Sequence, residues 1–286
     1  MPQSQLHRHR HLIVNLAPTG VVPTKKDNSF VPITPAEIAA DVIACRKLGI
    51  SSAHLHARDE RGLQTHKAEQ YADIIDRIRS EAPDLVLCVT CSGRTASEFS
   101  QRSEVLDLKG DLRPDMASLT LGSLNFARSA SVNSPDMIKN LALKMLDNGI
   151  KPELEVFDVG MVNFANYLIE KDILRPPFYF NILLGNVSSA QANLLHVSAV
   201  LASLPPGALW SLAGFGADQL PMNALAIAMG GGVRVGLEDN LWMDSDRTAP
   251  ASNPLLVSRV IELARLHERA AMPSKILRQR LILQDL

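Results

Sequence analysis

A (β/α)8 TIM barrel in a single domain is the fold this sequence predicts, on three observations. Eight short apolar runs that read as buried strands recur along roughly 240 residues. Segments with helical spacing fill the intervals between them. Polar residues able to do chemistry gather at the C-terminal ends of the runs, where such barrels carry their active sites.

The strand-like runs fall at residues 11–17, 52–57, 85–91, 116–122, 153–158, 178–184, 209–215 and 233–239. Helical spacing marks 35–48, 71–82, 135–148, 190–203, 220–229 and 254–270, with 97–112 the least periodic of the intervening segments. Thr34-Pro35-Ala36-Glu37 opens the first helix with a capping box: an N-cap hydroxyl, Pro at the first helical position and Glu at the third. Strand and helix alternate too regularly for an open doubly wound sheet, and no repeat or linker splits the chain. Residues 1–10 are expected to be a flexible tail. Residues 271–286 form an apolar extension expected to pack on the barrel or on a neighbouring subunit.

Composition removes several classes of function. The 286 residues carry a formal net charge of −1, so no basic face is expected for nucleic acid. No apolar run is long enough for a membrane span, and the basic N-terminus lacks the apolar stretch of a secretory signal. Three cysteines, Cys45, Cys88 and Cys91, make no disulfide framework and suit a reducing cytoplasm.

On the second run, His54 and His56 are two residues apart and face the same way, with Arg58 sharing their parity. An H-x-H pair on a barrel strand can present two imidazoles to one metal. The plainer reading, two polar residues on a half-exposed strand, fits an otherwise apolar run poorly. On the eighth run, Arg234, Gly236 and Glu238 share a face. Taken alone, Arg234 and Glu238 could be a structural ion pair. Across the barrel mouth from H-x-H, Glu238 becomes a third ligand, and two His plus one carboxylate is a catalytic zinc set that also suits iron or manganese. Glu153 and Glu155 share a face on the fifth run, and an inward Glu155 is a candidate site carboxylate. Gly214-Phe215-Gly216 could expose backbone N–H groups to a phosphate. Cys88 and Cys91 read as barrel filler.

With HLHARD, PELEVFD and GGGVRVGLEDN in place, together with ITPAEIA and MASLTLGSLNF, the sequence resembles the β-keto acid cleavage enzymes over nearly its whole length. The resemblance implies a metal, usually zinc, held by His54, His56 and Glu238. It also implies Arg234 and Asp239 as a proton-transfer pair, Thr90 as the catalytic hydroxyl of the third-strand turn, and Ser118 and Glu155 lining the substrate pocket. The implied reaction joins a β-keto acid to acetyl-CoA and gives acetoacetate and a new acyl-CoA. A cytoplasmic homo-oligomer, dimer or tetramer, is implied too. Members acting on an amino-substituted keto acid carry a glutamate where this chain has Val22, so an uncharged or apolar β-keto acid is expected here. The alternatives are a CoA-independent metal aldolase or decarboxylase and a metal-dependent hydrolase. The hydrolase type usually places its H-x-H on the first strand and adds histidines from later strands, which this chain lacks.

Overall fold

In the computed structural model, which describes residues 11–283, eight parallel strands close into a barrel. They are β1 (Val14–Leu16), β2 (Ser52–Leu55), β3 (Val86–Val89), β4 (Met116–Thr120), β5 (Lys151–Val156), β6 (Tyr179–Leu184), β7 (Leu209–Gly214) and β8 (Gly232–Val235). Each pairs with its neighbours in sequence, and β8 closes onto β1 through Val233 opposite Val14 and Val235 opposite Leu16. The connecting helices are α1 (Pro35–Leu48), α2 (Ala68–Glu81), α3 (Phe99–Arg102), α4 (Pro135–Asp147), α5 (Val159–Glu170), α6 (Leu194–Ser203), α7 (Gln219–Ala228) and α8 (Asn253–Leu266). A last helix, α9, spans Ser274–Leu281.

The capping box at α1 forms as its residues dictate. Glu37 N–H donates to Thr34 Oγ1 at 3.2 Å, and Glu37 Oε2 accepts from the Thr34 N–H at 3.0 Å. The α1 face Ile38, Ala39, Val42 and Cys45 is buried against the barrel. Alternation then divides the strands. Outward-facing Val14, Leu16, Leu55, Leu87, Leu119, Leu154, Ile182 and Val235 belong to the large apolar layer beneath the helices. Inward-facing Ile13, Val86, Cys88, Met116, Tyr179 and Leu209 form a second cluster, completed by Met272, Leu277 and Leu281. The α9 helix therefore plugs the N-terminal end of the barrel. Burying each such side chain contributes about 1.5–3 kcal/mol, and Arg278 of α9 is tied to the buried Asp115 at 2.8 Å.

Several elements differ from the sequence expectation. The first run is broken at Ile13: His11–Leu12 pairs with Ala270–Ala271 outside the barrel, and only Val14–Leu16 enters it. The last barrel helix stops at Leu266 because Glu268 adopts a left-handed φ of 55°, freeing Ala270 for that pairing. The segment 97–112 holds one helical turn and two 3-10 turns. The expected flexible tail at 1–10 lies outside the described residues, as do residues 284–286 of the extension.

Candidate active site and metal centre

Both histidines of H-x-H face the barrel interior at the C-terminal end of β2, His54 on the strand and His56 just past it, and both are buried. Their Nε2 atoms are 3.3 Å apart, and Glu238 Oε1 lies 3.3 Å from His56 Nε2. One ligand atom from each of the three residues lies within 4.8 Å of the other two. Among the described residues, Glu238 Oε2 and His56 Nδ1 have no hydrogen-bond partner. Two imidazoles and a carboxylate gathered this closely are a donor set that could hold zinc, iron or manganese.

Below this trio sits a polar network that fixes the orientation of His54. Glu153 Oε2 is 2.6 Å from His54 Nδ1, so the ring donates there and turns its Nε2 toward His56 and Glu238. The other oxygen of Glu153 accepts from Asn15 Nδ2 at 2.7 Å and from Asn181 Nδ2 at 3.3 Å, and Ser52 Oγ donates to Asn15 Oδ1. Burial opposes charge on His54, yet the Glu153 carboxylate holds its pKa up to about 9. Burial lowers the pKa of His56, only partly offset by Glu238. The role of Glu153 was missed in the sequence. Its parity with Glu155 placed it inside the barrel, but its partners, with Cys88 Sγ donating at 3.4 Å, come from four other strands.

Strand β8 ends at Val235, earlier than the sequence suggested, so parity does not carry Glu238 inward. A turn does. Gly236 takes a φ of +150°, and a Cβ there would stand 2.1 Å from Ala17 O. Glu238 N–H then donates to Ala17 O at 3.1 Å, and Glu238 and Asp239 both flank Arg234. The first loop closes over this turn at Gly20, whose φ is +66° and where a Cβ would lie 2.4 Å from Glu238 Cγ. Only glycine allows that approach.

Arg234 is almost wholly buried and binds three carboxylates: Glu238 Oε1 at 2.7 Å, Asp239 Oδ2 at 2.8 Å and Glu155 Oε1 at 3.6 Å. Burial works against ionisation of Glu238, but Arg234 and His56 hold its carboxyl well below the usual range. Burial and the neighbouring Glu238 push Asp239 upward despite its contact with Arg234. Burial likewise raises Glu155.

A cleft with about 590 Å³ of empty space opens over these groups. Its polar floor includes His56, Thr90, Glu155, Glu238 and Asp239, and Phe126, Phe157 and Phe215 form an aromatic wall. Thr90 Oγ1 accepts from Ser92 N–H at 3.2 Å and meets Ser118 Oγ at 3.5 Å, where either hydroxyl can be the donor. Ser118 lies behind Thr90, 3.5 Å away, and accepts from Cys91 N–H. The hydroxyl that lines the cleft from β4 is instead Thr120, which donates to Glu155 at 2.8 Å. The Gly214-Phe215-Gly216 turn is not the phosphate cradle its glycines suggested. The Phe215 N–H is bound to Leu184 O and the Gly216 N–H to Asp239 O, at 3.1 and 2.7 Å. Arg58 is structural, donating to Gly62 O and Pro23 O.

A family profile described as beta-keto acid cleavage enzyme matches residues 11–283. A 3-keto-5-aminohexanoate cleavage enzyme of Fusobacterium nucleatum is 38% identical over 256 residues, 89% of this chain and 91% of that protein. A 3-oxoadipate:acetyl-CoA acetyltransferase of Cupriavidus necator is 34% identical, over 90% of this chain and 89% of that protein. Among solved structures, apo ObcA superposes with a TM-score of 0.79 at 21% identity, covering 89% of this chain and 66% of that one. At that identity the likeness is one of fold.

Proposed function

The chain is a member of the beta-keto acid cleavage enzyme family, and from that premise we propose that it condenses a β-keto acid with acetyl-CoA to give acetoacetate and an acyl-CoA. The observation that carries the reading is the convergence of His54, His56 and Glu238 beside the Arg234–Asp239 pair, at the floor of one cleft. His54, His56 and Glu238 would hold a divalent metal, zinc being the first choice. When bound, it would supply Lewis-acid polarisation of the substrate's keto and carboxylate oxygens, worth several kcal/mol of charge stabilisation.

The protein groups divide the remaining work. Asp239, its pKa raised by burial, is placed to take a proton from the carbon between the substrate's two carbonyl groups. Arg234 grips both oxygens of Asp239 and orients the carboxylate. With Ser118 donating to it, Thr90 turns its own proton to an oxygen gaining negative charge, and Ser118 steadies the turn behind it. Glu155, its pKa raised by burial and its carboxylate bound to Thr120, lines the substrate side.

The deprotonated carbon attacks the acetyl thioester and expels CoA thiolate. The thiolate adds to the former keto carbon, the bond from that carbon to the acetylated one breaks, and Asp239 returns its proton to the departing acetoacetate. An adjoining cleft shares Val22, Pro23, Glu238 and Asp239 with the first and gives the thioester a separate approach.

We further propose a cytoplasmic homo-oligomer. Cys45, Cys88 and Cys91 are free and buried, and Val187, Leu194 and Leu195 stand exposed near one another in sequence. No helix among the described residues is long and apolar enough to cross a membrane. The test is a panel of β-keto acids with and without acetyl-CoA, assayed for acetoacetate in native, chelator-stripped and Asp239→Asn protein. Native protein should require acetyl-CoA, stripped protein should be inactive, and the variant should keep its metal while losing turnover. Full activity without metal, or cleavage without acetyl-CoA, refutes the reading.

A further inference from the structure

The acids in the cleft are all engaged by protein groups. Glu238 and Asp239 bind Arg234, and Glu155 binds Thr120 and faces Arg234. Its second cation differs. Arg94, in the loop after β3, lines the same cleft with its guanidinium carbon 4.0 Å from the centroid of the Phe126 ring. Its Nε donates to Ser129 Oγ at 3.0 Å, and its backbone N–H donates to Ser92 Oγ at 3.3 Å. Stacking and the Nε bond hold the fork in one orientation and leave both terminal nitrogens without a protein partner among the described residues. No described carboxylate lies within ion-pair reach of Arg94, whereas Arg234 reaches three.

A half-buried, immobilised and unpaired guanidinium in a ligand cleft is a receptor for a planar anion, which two parallel N–H groups match in a bidentate fashion. Arg94 lies beyond ion-pair distance of Glu238, so it addresses a part of the ligand away from the head gripped at the His54, His56 and Glu238 cluster. Val22, on the same cleft, offers nothing to a cation. We infer that the substrate is a β-keto dicarboxylic acid whose distal carboxylate is read by Arg94. This rests on the proposed reaction and narrows its substrate. It also replaces the uncharged or apolar acid expected from Val22 alone: that residue excludes an ammonium, and Arg94 selects an anion.

The experiment compares two acids of equal chain length, 3-oxoadipate and 3-oxohexanoate, each with acetyl-CoA, in wild type, Arg94→Met and Arg94→Lys. Wild type is expected to favour 3-oxoadipate in kcat/KM. Arg94→Met should collapse that preference by about 10- to 100-fold, the worth of a hydrogen-bonded charge pair, and Arg94→Lys should recover part of it. A wild-type preference for 3-oxohexanoate overturns the assignment while leaving the reaction intact. An unchanged ratio in Arg94→Met overturns it too. If that unchanged ratio comes with a raised KM for acetyl-CoA, Arg94 serves the CoA phosphates. Acetoacetate from neither acid overturns the reaction itself, and this assignment with it.

Discussion

Replacing Glu153 by glutamine keeps the shape of the side chain and removes its charge from beneath the His54, His56 and Glu238 cluster. The 2.6 Å contact to His54 Nδ1 then changes from a charge-assisted hydrogen bond to a neutral one. Bonds to charged groups are worth about 1.5–3 kcal/mol and neutral ones about 0.5–1.5, so the loss is about 1–2 kcal/mol. If that loss falls on the metal-bound state, affinity drops roughly 5- to 30-fold, within the range for groups that orient a metal-binding histidine. Glutamine can still be accommodated. Asn15 and Asn181 can turn their amides, since Ser52 Oγ can accept as well as donate and Asn181 Oδ1 has no partner among the described residues. Alanine would instead strand the amides of Asn15 and Asn181 and the His54 N–H, making it a folding variant rather than a site variant. The assay titrates zinc into metal-free protein against a competing chromophoric chelator, with melting temperature as the control for folding. Equal zinc affinity in wild type and Glu153→Gln, both folded, would show that the carboxylate does not orient His54.

Gly20→Ala places a Cβ 2.4 Å from Glu238 Cγ in a left-handed conformation that costs an L-residue about 1–2 kcal/mol. Zinc affinity should fall by about tenfold or more as Glu238 is displaced, and wild-type affinity in this variant refutes the close-approach argument. Leu277→Ala, at the plug of the barrel, should cost about 2–5 kcal/mol in chemical denaturation. A loss below about 0.5 kcal/mol, the range of surface changes, would mean that α9 does not seal that end. Burial opposes its charge, yet Lys25 and the amides of Thr34 and Ile33 hold the Glu37 carboxyl down to about 2, against 4.5 unperturbed. A depressed acid stabilises the fold fully above pH 4.5 and loses that contribution as pH falls toward 2. Since the side chain is 41% exposed, Glu37→Gln should cost only a few tenths to about 1 kcal/mol at neutral pH. The gap should close over that acid window, and a gap of constant size across it would exclude the carboxylate as its source.

The alternation of apolar runs with helical spacing made all eight barrel strands legible, because parallel strands buried on both faces read as short continuous apolar runs. His54 and His56 were legible because residues two apart on a strand share a face. Ser118 was less so. Its parity is inward, yet depth along the barrel decides which hydroxyl meets the cleft, and that depth belongs to Thr120. Glu238 faces inward as expected, but by a glycine turn rather than by an extended strand, and the same turn brings Asp239 to Arg234. Helix α5 was not among the segments read from spacing, although Asp158 caps it by accepting from the Met161 N–H at 3.0 Å.

What the sequence alone determined, then, was the order of the elements and which face of each strand is buried. Both follow from local periodicity and from the few residues that cap or break a helix. The tertiary structure decided which buried polar groups meet. Glu153 finds His54 and Asn15 across 99 and 138 residues of chain, and among the described residues Arg94 has no carboxylate within ion-pair reach. Hydrogen bonds and charge pairs act over a few ångströms, and distance along the chain carries no information about distance in space until the barrel closes.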